Sequence, residues 1–275
     1  MTHILPRLRE IFPKSEIIVV DDGSADETAD VASRHGVRLV RHPLSLGNGA
    51  AVKSGARSAG GDLLVFMDAD GQHSSDDIAH LIDKLSEGYD MVVGERAAKS
   101  HASVCRAVAN RAYSLLASWM VNSKIQDLTS GFRVVKADKF REFLYLLPNG
   151  FSYPTTITMA FFRAGYPVGY VPITAHKRLG KSHINLLRDG LRFFLIIFRV
   201  GTLYSPLKLF LPVSLVFFIL GLGYYVFTFV TASRFTNMSA LLLTTSVLVG
   251  LIGLVSEQIT NLLYSRLSGN SPDKR

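Results

Sequence analysis

Short apolar runs alternate with segments of helical spacing along the first third of the chain. The apolar runs, typical of strands covered on both faces, are residues 16–20, 37–40, 63–67 and 89–93. The helical segments are residues 2–12, 47–59 and 76–86. This alternation predicts an α/β fold with a doubly wound, mostly parallel sheet. In such a sheet, ligands lie beyond the carboxyl ends of the strands.

One further helix is predicted from its start signal, and the alternation of strands and helices becomes less regular after Arg96. Ser24 and Glu27 have the spacing of a capping box, which predicts a helix that begins there and ends at Gly36. The elements predicted beyond Arg96 are a helix at 104–121, a loop at 126–133, a short strand through Val135, two more helices and a strand at 168–173.

Two long uncharged runs stand near the end of the chain, residues 209–233 and 235–256, with only Arg234 between them. At about 1.5 Å per residue, each run as a helix can cross a hydrocarbon core of roughly 30 Å. We therefore predict four regions. They are a soluble domain at 1–183, an interfacial amphipathic segment at 184–208, a two-helix membrane hairpin with a following helix at 209–267 and a disordered tail at 268–275.

Composition supports an integral membrane protein with two spans. The 275 residues are 48% hydrophobic and 19% charged, too apolar for a soluble domain, which also excludes a fully secreted, fibrous or disordered protein. The lone Cys105 allows no intrachain disulfide, which favours a cytoplasmic location. The net charge is +8, and no nucleic-acid-binding motif occurs. Anionic or phosphorylated membrane lipid is therefore the expected partner, with no nucleic acid.

Basic residues gather before the first span and are nearly absent from the loop between the spans, which has only Arg234. By the positive-inside rule, the soluble domain and both chain ends face the cytoplasm. The basic residues before the first span are Lys177, Arg178, Lys181, Arg188, Arg192, Arg199 and Lys208.

Acidic residues follow two of the predicted strands. Asp68 and Asp70, one residue apart, can both reach a single divalent cation, and their hard oxygen atoms suit Mg²⁺ or Mn²⁺. Asp21 and Asp22 end another strand of the same predicted sheet, so both groups are expected to face one crevice. A polar turn after each strand is the alternative.

Several motifs together resemble family 2 glycosyltransferases of the GT-A fold. The motifs are VVDDGSADET, LGNGAAVKSG, MDADGQH, VVGER and DLTSGFR. NGFSYPTTIT, the KRLGKSH loop and the two terminal spans resemble the polyprenyl-phosphate hexosyltransferase branch, which includes dolichol-phosphate mannose synthase. The resemblance implies a hexosyltransferase with a nucleotide-sugar donor and a polyprenyl phosphate acceptor. It is also compatible with a homo-oligomer.

The resemblance also implies roles for individual residues. Asp21 and Asp22 would contact the nucleotide. Asp68, Asp70 and Gln72 would hold the metal and the donor diphosphate, with Asp68 also binding the nucleotide-sugar and Asp70 also catalytic. The residues implied for the acceptor phosphate are Arg96, Arg106 and Ser130. Asp127 and Arg133 would be catalytic residues where donor and acceptor meet. For the two arginines 96 and 133, a surface ion pair is the alternative.

The basic loop departs from the family pattern. The family has R-x-x-G-x-S-K, whereas residues 177–183 read K-R-L-G-K-S-H, so His183 stands where lysine is usual. The donor-binding residues implied here are Lys177, Arg178, Lys181 and Ser182.

A phosphate acceptor changes what the enzyme must supply. A phosphate monoester, with a second pKa of about 6, is already mostly ionised at neutral pH, whereas a hydroxyl needs a general base. We therefore expect Asp127 to orient or to act electrostatically, and not to serve as an obligatory base.

The family's first strand and its P-x-Y-N-E motif would precede residues 2–12, and the sequence lacks them. Either Met1 is internal to a longer reading frame, which we favour, or the chain is catalytically impaired. Intact-mass measurement of the native protein tests this. Two alternative functions remain: a family 2 transferase to a lipid or sugar hydroxyl and, because of the missing strand, an inactive nucleotide-sugar-binding scaffold.

Overall fold

The computed structural model describes residues 2, 4–96, 104–150, 153–173, 198 and 201–268, without the side chains of residues 104–110, 112 and 266–268. The chain divides into two compact units, Met1–Ile184 and Asn185–Arg275.

The first unit is an α/β domain. Its strands are β1 (Ile18–Asp21), β2 (Arg38–Arg41), β3 (Leu63–Phe66), β4 (Met91–Arg96), β5 (Arg133–Lys136) and β6 (Val168–Ile173). Its helices are α1 (Ile4–Ile11), α2 (Thr28–Arg34), α3 (Asn48–Ser58), α4 (Asp77–Ser86), α5 (Val104–Val121), α6 (Ala137–Glu142) and α7 (Tyr153–Arg163). The predicted strand and helix alternation is therefore present in the first half of the chain.

The strands form two sheets. β1 pairs with β2 in parallel, and the other four strands have the order β3-β5-β4-β6. β4 and β6 are parallel, whereas β5 runs antiparallel to both of its neighbours, with Phe66 and Val93 each opposite Arg133. The start of β5 therefore lies at the edge where β3 and β4 end. This brings the loop before β5 to the same edge as the loops after β3 and β4.

An apolar core between α4 and the four-stranded sheet supports that edge. Ile78, Leu81 and Leu85 of α4 pack on the four-stranded sheet through Val92, Phe132, Val134 and Ile173. Gly94 makes room for Phe132, because a Cβ atom at position 94 would lie 2.8 Å from the ring. The loop before β5 is thus anchored through Phe132.

The predicted capping box is wrong. The N-cap of α2 is Glu27 and has no side-chain cap, while the backbone N–H of Thr28 donates to Asp26 Oδ1 at 3.0 Å. The Ser24 N–H instead donates to Asp21 Oδ1 at 2.8 Å, which closes the turn after β1. The competing acceptor at Asp21 is the physical reason, because it holds Ser24 in the turn.

The second unit is a helical hairpin of α8 (Pro206–Ala232) and α9 (Asn237–Ser268). Both helices are long and apolar enough to span a membrane. Ser214 and Ser246 each donate to the other's carbonyl oxygen, at 2.8 and 2.9 Å, and Gly253 lies against Phe210. Small residues that allow close backbone approach are typical of paired membrane helices.

The predicted second span and the helix after it form one continuous element. Glu257 lies within α9 and accepts a 3.3 Å hydrogen bond from the Leu207 N–H at the start of α8. A carboxylate beside a helix N-terminus is stabilised there. Most of the predicted interfacial segment and the tail after residue 268 lie outside the described residues.

Candidate active site

Three loops meet at the edge of the four-stranded sheet where β3 and β4 end. Residues 67–73 follow β3, Arg96 ends β4, and residues 126–132 precede β5. A Cβ atom on Gly131 would lie 3.1 Å from Asp68 Oδ2 and 3.3 Å from the Tyr153 hydroxyl. The loop with the acidic pair and the loop before β5 are therefore in direct contact.

Tyr153 stabilises this contact between the two loops by a hydrogen bond. Its hydroxyl donates to the Gly131 carbonyl oxygen at 3.3 Å, and its side chain is buried. Burial raises the pKa of Tyr153 to about 12, so the hydroxyl stays protonated and remains a donor at neutral pH.

The turn after Asp68 is tightly folded. Gly71 has a φ of 77°, and the Gln72 N–H donates to Asp70 Oδ1 at 3.1 Å. His73 stacks on Phe132 with ring centroids 4.9 Å apart. Burial lowers the pKa of His73, and the carboxylates of Asp68 and Asp70 oppose that shift only in part. His73 is therefore a neutral packing residue that holds the turn against the loop before β5.

The acidic pair fits a cation that also binds substrate. Asp68, Asp70 and Gln72 offer two carboxylates and an amide oxygen, which are hard ligands suited to Mg²⁺ or Mn²⁺. Among the residues that the structure describes, no three His, Cys, Asp or Glu side chains are grouped to hold a metal by themselves. Mg²⁺ commonly uses one or two carboxylates together with substrate phosphates, so the set fits a metal bound jointly with a diphosphate.

Arg96 and Asp127 form a two-point ion pair. Arg96 Nε donates to Asp127 Oδ2 at 2.9 Å and Arg96 Nη2 donates to Oδ1 at 3.0 Å, while Thr129 Oγ1 accepts from Nη2 at 2.6 Å. The N–H groups of Thr129 and Ser130 also donate to Asp127 Oδ1. Asp127 thus fixes both the arginine and the loop before β5.

The environment of Asp127 keeps it ionised. Burial by itself would raise the pKa of Asp127, but the hydrogen bonds and charge of Arg96, together with backbone N–H groups, lower the pKa below its ordinary value. A carboxylate with a lowered pKa is a weak proton acceptor at neutral pH. Ser130 is 1% exposed and its hydroxyl has no partner within the described residues.

Arg133 does not lie on the surface where donor and acceptor are predicted to meet. Its side chain is fully buried, so it does not line a surface that substrate can touch. Its guanidinium donates to the carbonyl oxygens of Ser130 and Pro154 and to Thr158 Oγ1. The surface ion pair considered from the sequence is also excluded for this residue.

Asp22 has a structural role within the chain, and its nucleotide contact stays a prediction. Its Oδ1 accepts from the Leu46 N–H and lies 2.7 Å from His42 Nδ1, while Oδ2 accepts from Ser45 Oγ and the Gly47 N–H. Two acceptor sites on each oxygen are thereby filled. Asp22 therefore holds the loop between β2 and α3 in place.

The Asp22 contacts predict a pH-dependent contribution to stability. Burial would raise the pKa of Asp22, but His42, the two N–H groups and Ser45 lower it strongly. Because the folded-state pKa is lowered, this contribution is present above the unfolded-state pKa of about 3.9 and is lost as pH falls below it.

Asp22→Asn is expected to lower the free energy of unfolding by about 2 kcal/mol at pH 7, since it removes a charged acceptor from buried donors. Thermal unfolding of both proteins should show this difference shrinking between pH 5 and pH 2. Asp30→Asn, an exposed acid of α2, is the control. An equal difference at all pH values would contradict the prediction.

Asp21 is less accessible than the predicted contact requires. Its side chain is 1% exposed and pairs with Arg41 Nε at 3.2 Å. A nucleotide contact by Asp21 stays a prediction.

Some predicted site residues lie outside the part of the chain that the structure describes. Arg106 lies in α5, but its side chain is not among the described ones, and the same holds for the whole of Lys177, Arg178, Lys181, Ser182 and His183.

Gly131→Ala is expected to reduce activity about tenfold, because the added methyl group would displace the Asp68 carboxylate and Tyr153. Steady-state rates at increasing divalent metal concentration test this. Gly150→Ala is the matched control, since a Cβ atom there meets none of the described residues within 4 Å. A Gly131→Ala protein with unchanged activity would show that this contact is not critical.

Comparison with known proteins is consistent with this arrangement. Residues 4–144 match Glycosyl transferase family 2, and residues 205–262 match the GtrB C-terminal hairpin. The chain is 27% identical over 260 residues to Glycosyltransferase AglJ of Haloferax volcanii, covering 91% of this chain and 85% of that protein. It is 31% identical over 196 residues to the Undecaprenyl-phosphate mannosyltransferase of Micrococcus luteus, covering 66% and 80%.

A solved structure shows the same fold. Glucosyl-3-phosphoglycerate synthase from Mycobacterium tuberculosis, crystallised with Mn²⁺ and UDP-glucose, matches with a TM-score of 0.55 at 21% identity, covering 72% of this chain and 73% of that one.

The α/β domain, with its loops at the sheet edge, has the GT-A fold that the sequence predicts. The chain belongs to glycosyl transferase family 2. The prediction of a hexosyltransferase is confirmed.

Proposed function

We propose that the protein transfers a hexose from a UDP- or GDP-linked donor to a polyprenyl phosphate at a membrane. The observation that carries the proposal is the contact between the Asp68 loop and the loop before β5, beside the Arg96–Asp127 pair. Oxygen ligands for a donor-bound cation would then lie next to a cationic group for an acceptor phosphate. The mannosyltransferase of Micrococcus luteus, named for undecaprenyl phosphate, supports the acceptor class.

Asp68, Asp70 and Gln72 would hold Mg²⁺ or Mn²⁺ together with the donor diphosphate. The bound cation supplies Lewis-acid stabilisation of the leaving diphosphate. The Mn²⁺ and UDP-glucose of the Mycobacterium tuberculosis synthase support a divalent metal here. The basic loop would bind the donor through Lys177, Arg178, Lys181 and Ser182.

Arg96 would bind the acceptor phosphate through its remaining nitrogen. Nε and Nη2 are directed to Asp127 and Thr129, while Nη1 has no hydrogen bond to any of the described residues and would serve a ligand. An arginine fixed by a carboxylate on one side is oriented before the ligand arrives, so less motion is frozen on binding. Arg106 would complete the phosphate site, whereas Ser130, which is 1% exposed, would position the loop through its backbone N–H bond to Asp127.

The reaction needs positioning more than proton removal. A phosphate oxygen of the lipid attacks C1 of the hexose, the bond from C1 to the diphosphate oxygen breaks, and the configuration at C1 inverts. Because the phosphate is already ionised near neutral pH, no side chain has to take a proton from it. Asp127, held ionised by Arg96, would act by orienting that arginine.

The two apolar helices of the hairpin would hold this domain at the membrane. The excess of basic residues before α8 over the single Arg234 between the helices supports a cytoplasmic location of the domain and both chain ends. A homo-oligomer stays a prediction.

Membranes that contain the protein, incubated with labelled UDP- and GDP-hexoses and a polyprenyl phosphate, test the proposal. The expected product is a mild-acid-labile glycolipid that disappears with a chelator. Membranes without the protein are the control. An alkali-stable glycolipid would instead indicate a hydroxyl acceptor, and no product from any donor would indicate a nucleotide-sugar-binding scaffold.

A further inference from the structure

Arg133 carries a positive charge into the interior without an acidic partner at contact distance. Its side chain is 0% exposed. Within the part of the chain that the structure describes, the groups in contact with the guanidinium are uncharged. They are the Pro154 carbonyl at 3.3 Å, Thr158 Oγ1 at 3.2 Å, the Met91 sulfur at 3.7 Å, the Ser130 carbonyl and the Tyr153 ring at 5.7 Å. No carboxylate of the described residues forms an ion pair with it.

Such a placement is unfavourable for folding. A buried charge is desolvated, and carbonyl and hydroxyl oxygens replace only part of its hydration. Arginine does not escape this cost by losing its proton, because its pKa is too high. Because this burial costs folding free energy, we expect the charge of Arg133 to serve a function.

The guanidinium lies on the buried side of the loop before β5, which contacts the loop that contains Asp68. Ser130, whose carbonyl accepts from Arg133, donates its own N–H to Asp127 at 3.1 Å. The next residue, Gly131, contacts Asp68. Asp127 and Asp68 thus attract Arg133 only at longer range, and Asp127 is already paired with Arg96.

We propose that Arg133 is an electrostatic residue of this site, whose buried charge strengthens binding of the donor diphosphate and acceptor phosphate without touching either. This inference rests on the proposed function. With Asp127 neutralised by Arg96, and with Asp68 and Asp70 neutralised by a bound cation, the charge of Arg133 remains available to anionic ligands. A fixed charge in a poorly solvated interior acts over a longer distance than a surface charge does.

Binding of inorganic pyrophosphate, measured by calorimetry on the full-length protein with Mg²⁺ present, tests the inference independently of sugar, nucleotide and lipid. Arg133→Met and Arg133→Gln both remove the charge, and Gln retains a hydrogen-bond donor. Both are expected to weaken pyrophosphate binding about tenfold, the effect of one unit charge at moderate distance. Arg133→Lys, which keeps the charge, is expected to lose less than about threefold.

Thermal unfolding separates this role from a structural one. Replacing an unpaired buried charge with an apolar side chain of similar size is expected to leave the unfolding temperature of Arg133→Met unchanged or raised. Arg57→Met removes an exposed charge from α3 and is the matched control, with unchanged pyrophosphate binding.

Two results would overturn this inference and leave the proposed function unaffected. One is wild-type pyrophosphate affinity in either neutral variant. The other is an equal loss of affinity in Arg133→Lys and Arg133→Met, which would assign the effect to hydrogen-bond geometry. A wild-type protein that binds no pyrophosphate would contradict the proposed function as well. If Arg133→Met does not fold, the comparison of Arg133→Gln with Arg133→Lys decides between charge and geometry.

Discussion

Asp68→Asn is expected to reduce hexosyl transfer by at least about a thousandfold, because it removes one of two carboxylates in the proposed metal site. An amide oxygen is a weaker ligand for a hard cation than a carboxylate is. Asp68 also lies against Gly131, so its position is coupled to the loop before β5. Initial rates over a range of Mn²⁺ concentrations, with direct titration of Mn²⁺ in the presence of pyrophosphate, measure both effects.

Asp62→Asn is the matched control for this change. Asp62 is exposed, precedes β3 at the opposite end from Asp68, and its side chain has no described contact. The charge of the protein changes equally in the two variants, so a difference between them reports on position alone. If Asp68→Asn retained more than about a tenth of the activity at saturating metal, Asp68 would not be an essential metal ligand.

Local patterns predict the strands well but not the direction of β5. The run from 168 to 173 is found as predicted, and the apolar run at 63–67 differs by one residue from β3. Strand direction depends on pairing with residues distant in sequence, and β5 is only four residues long. Its antiparallel pairing brings the loop before it to the site, whereas the sequence placed that loop there only by resemblance.

Residue types alone do not distinguish a ligand-binding charge from a buried one. Asp22 and Asp68 both follow a strand, yet the acceptor sites of Asp22 are filled by four donors within the chain. Arg96 and Arg133 both carry the same charge, yet only Arg96 is partly exposed. Burial and pairing decide these roles, and both arise from tertiary contacts.

Asp127→Asn is expected to reduce turnover about a hundredfold while leaving the shape of the pH profile unchanged. The neutral amide cannot neutralise Arg96 or accept both of its donors, so the arginine loses the orientation that the proposed phosphate contact requires. The fall in rate on the acid side should remain near pH 6 in both proteins, because it reports protonation of the lipid phosphate. Asp127 itself, with its pKa lowered below the ordinary value, stays ionised across that range.

Rates from pH 5 to pH 8 at saturating donor, with the acceptor KM determined at each pH, measure this prediction. Asp90→Asn is the control, since Asp90 pairs with Lys136 at 2.7 Å at the other end of β4 and its loss should leave transfer within about threefold. A general base would behave differently. Complete loss of turnover in Asp127→Asn with both substrates still bound would mean that the acceptor must be deprotonated by this residue. The acceptor would then be a hydroxyl rather than a phosphate.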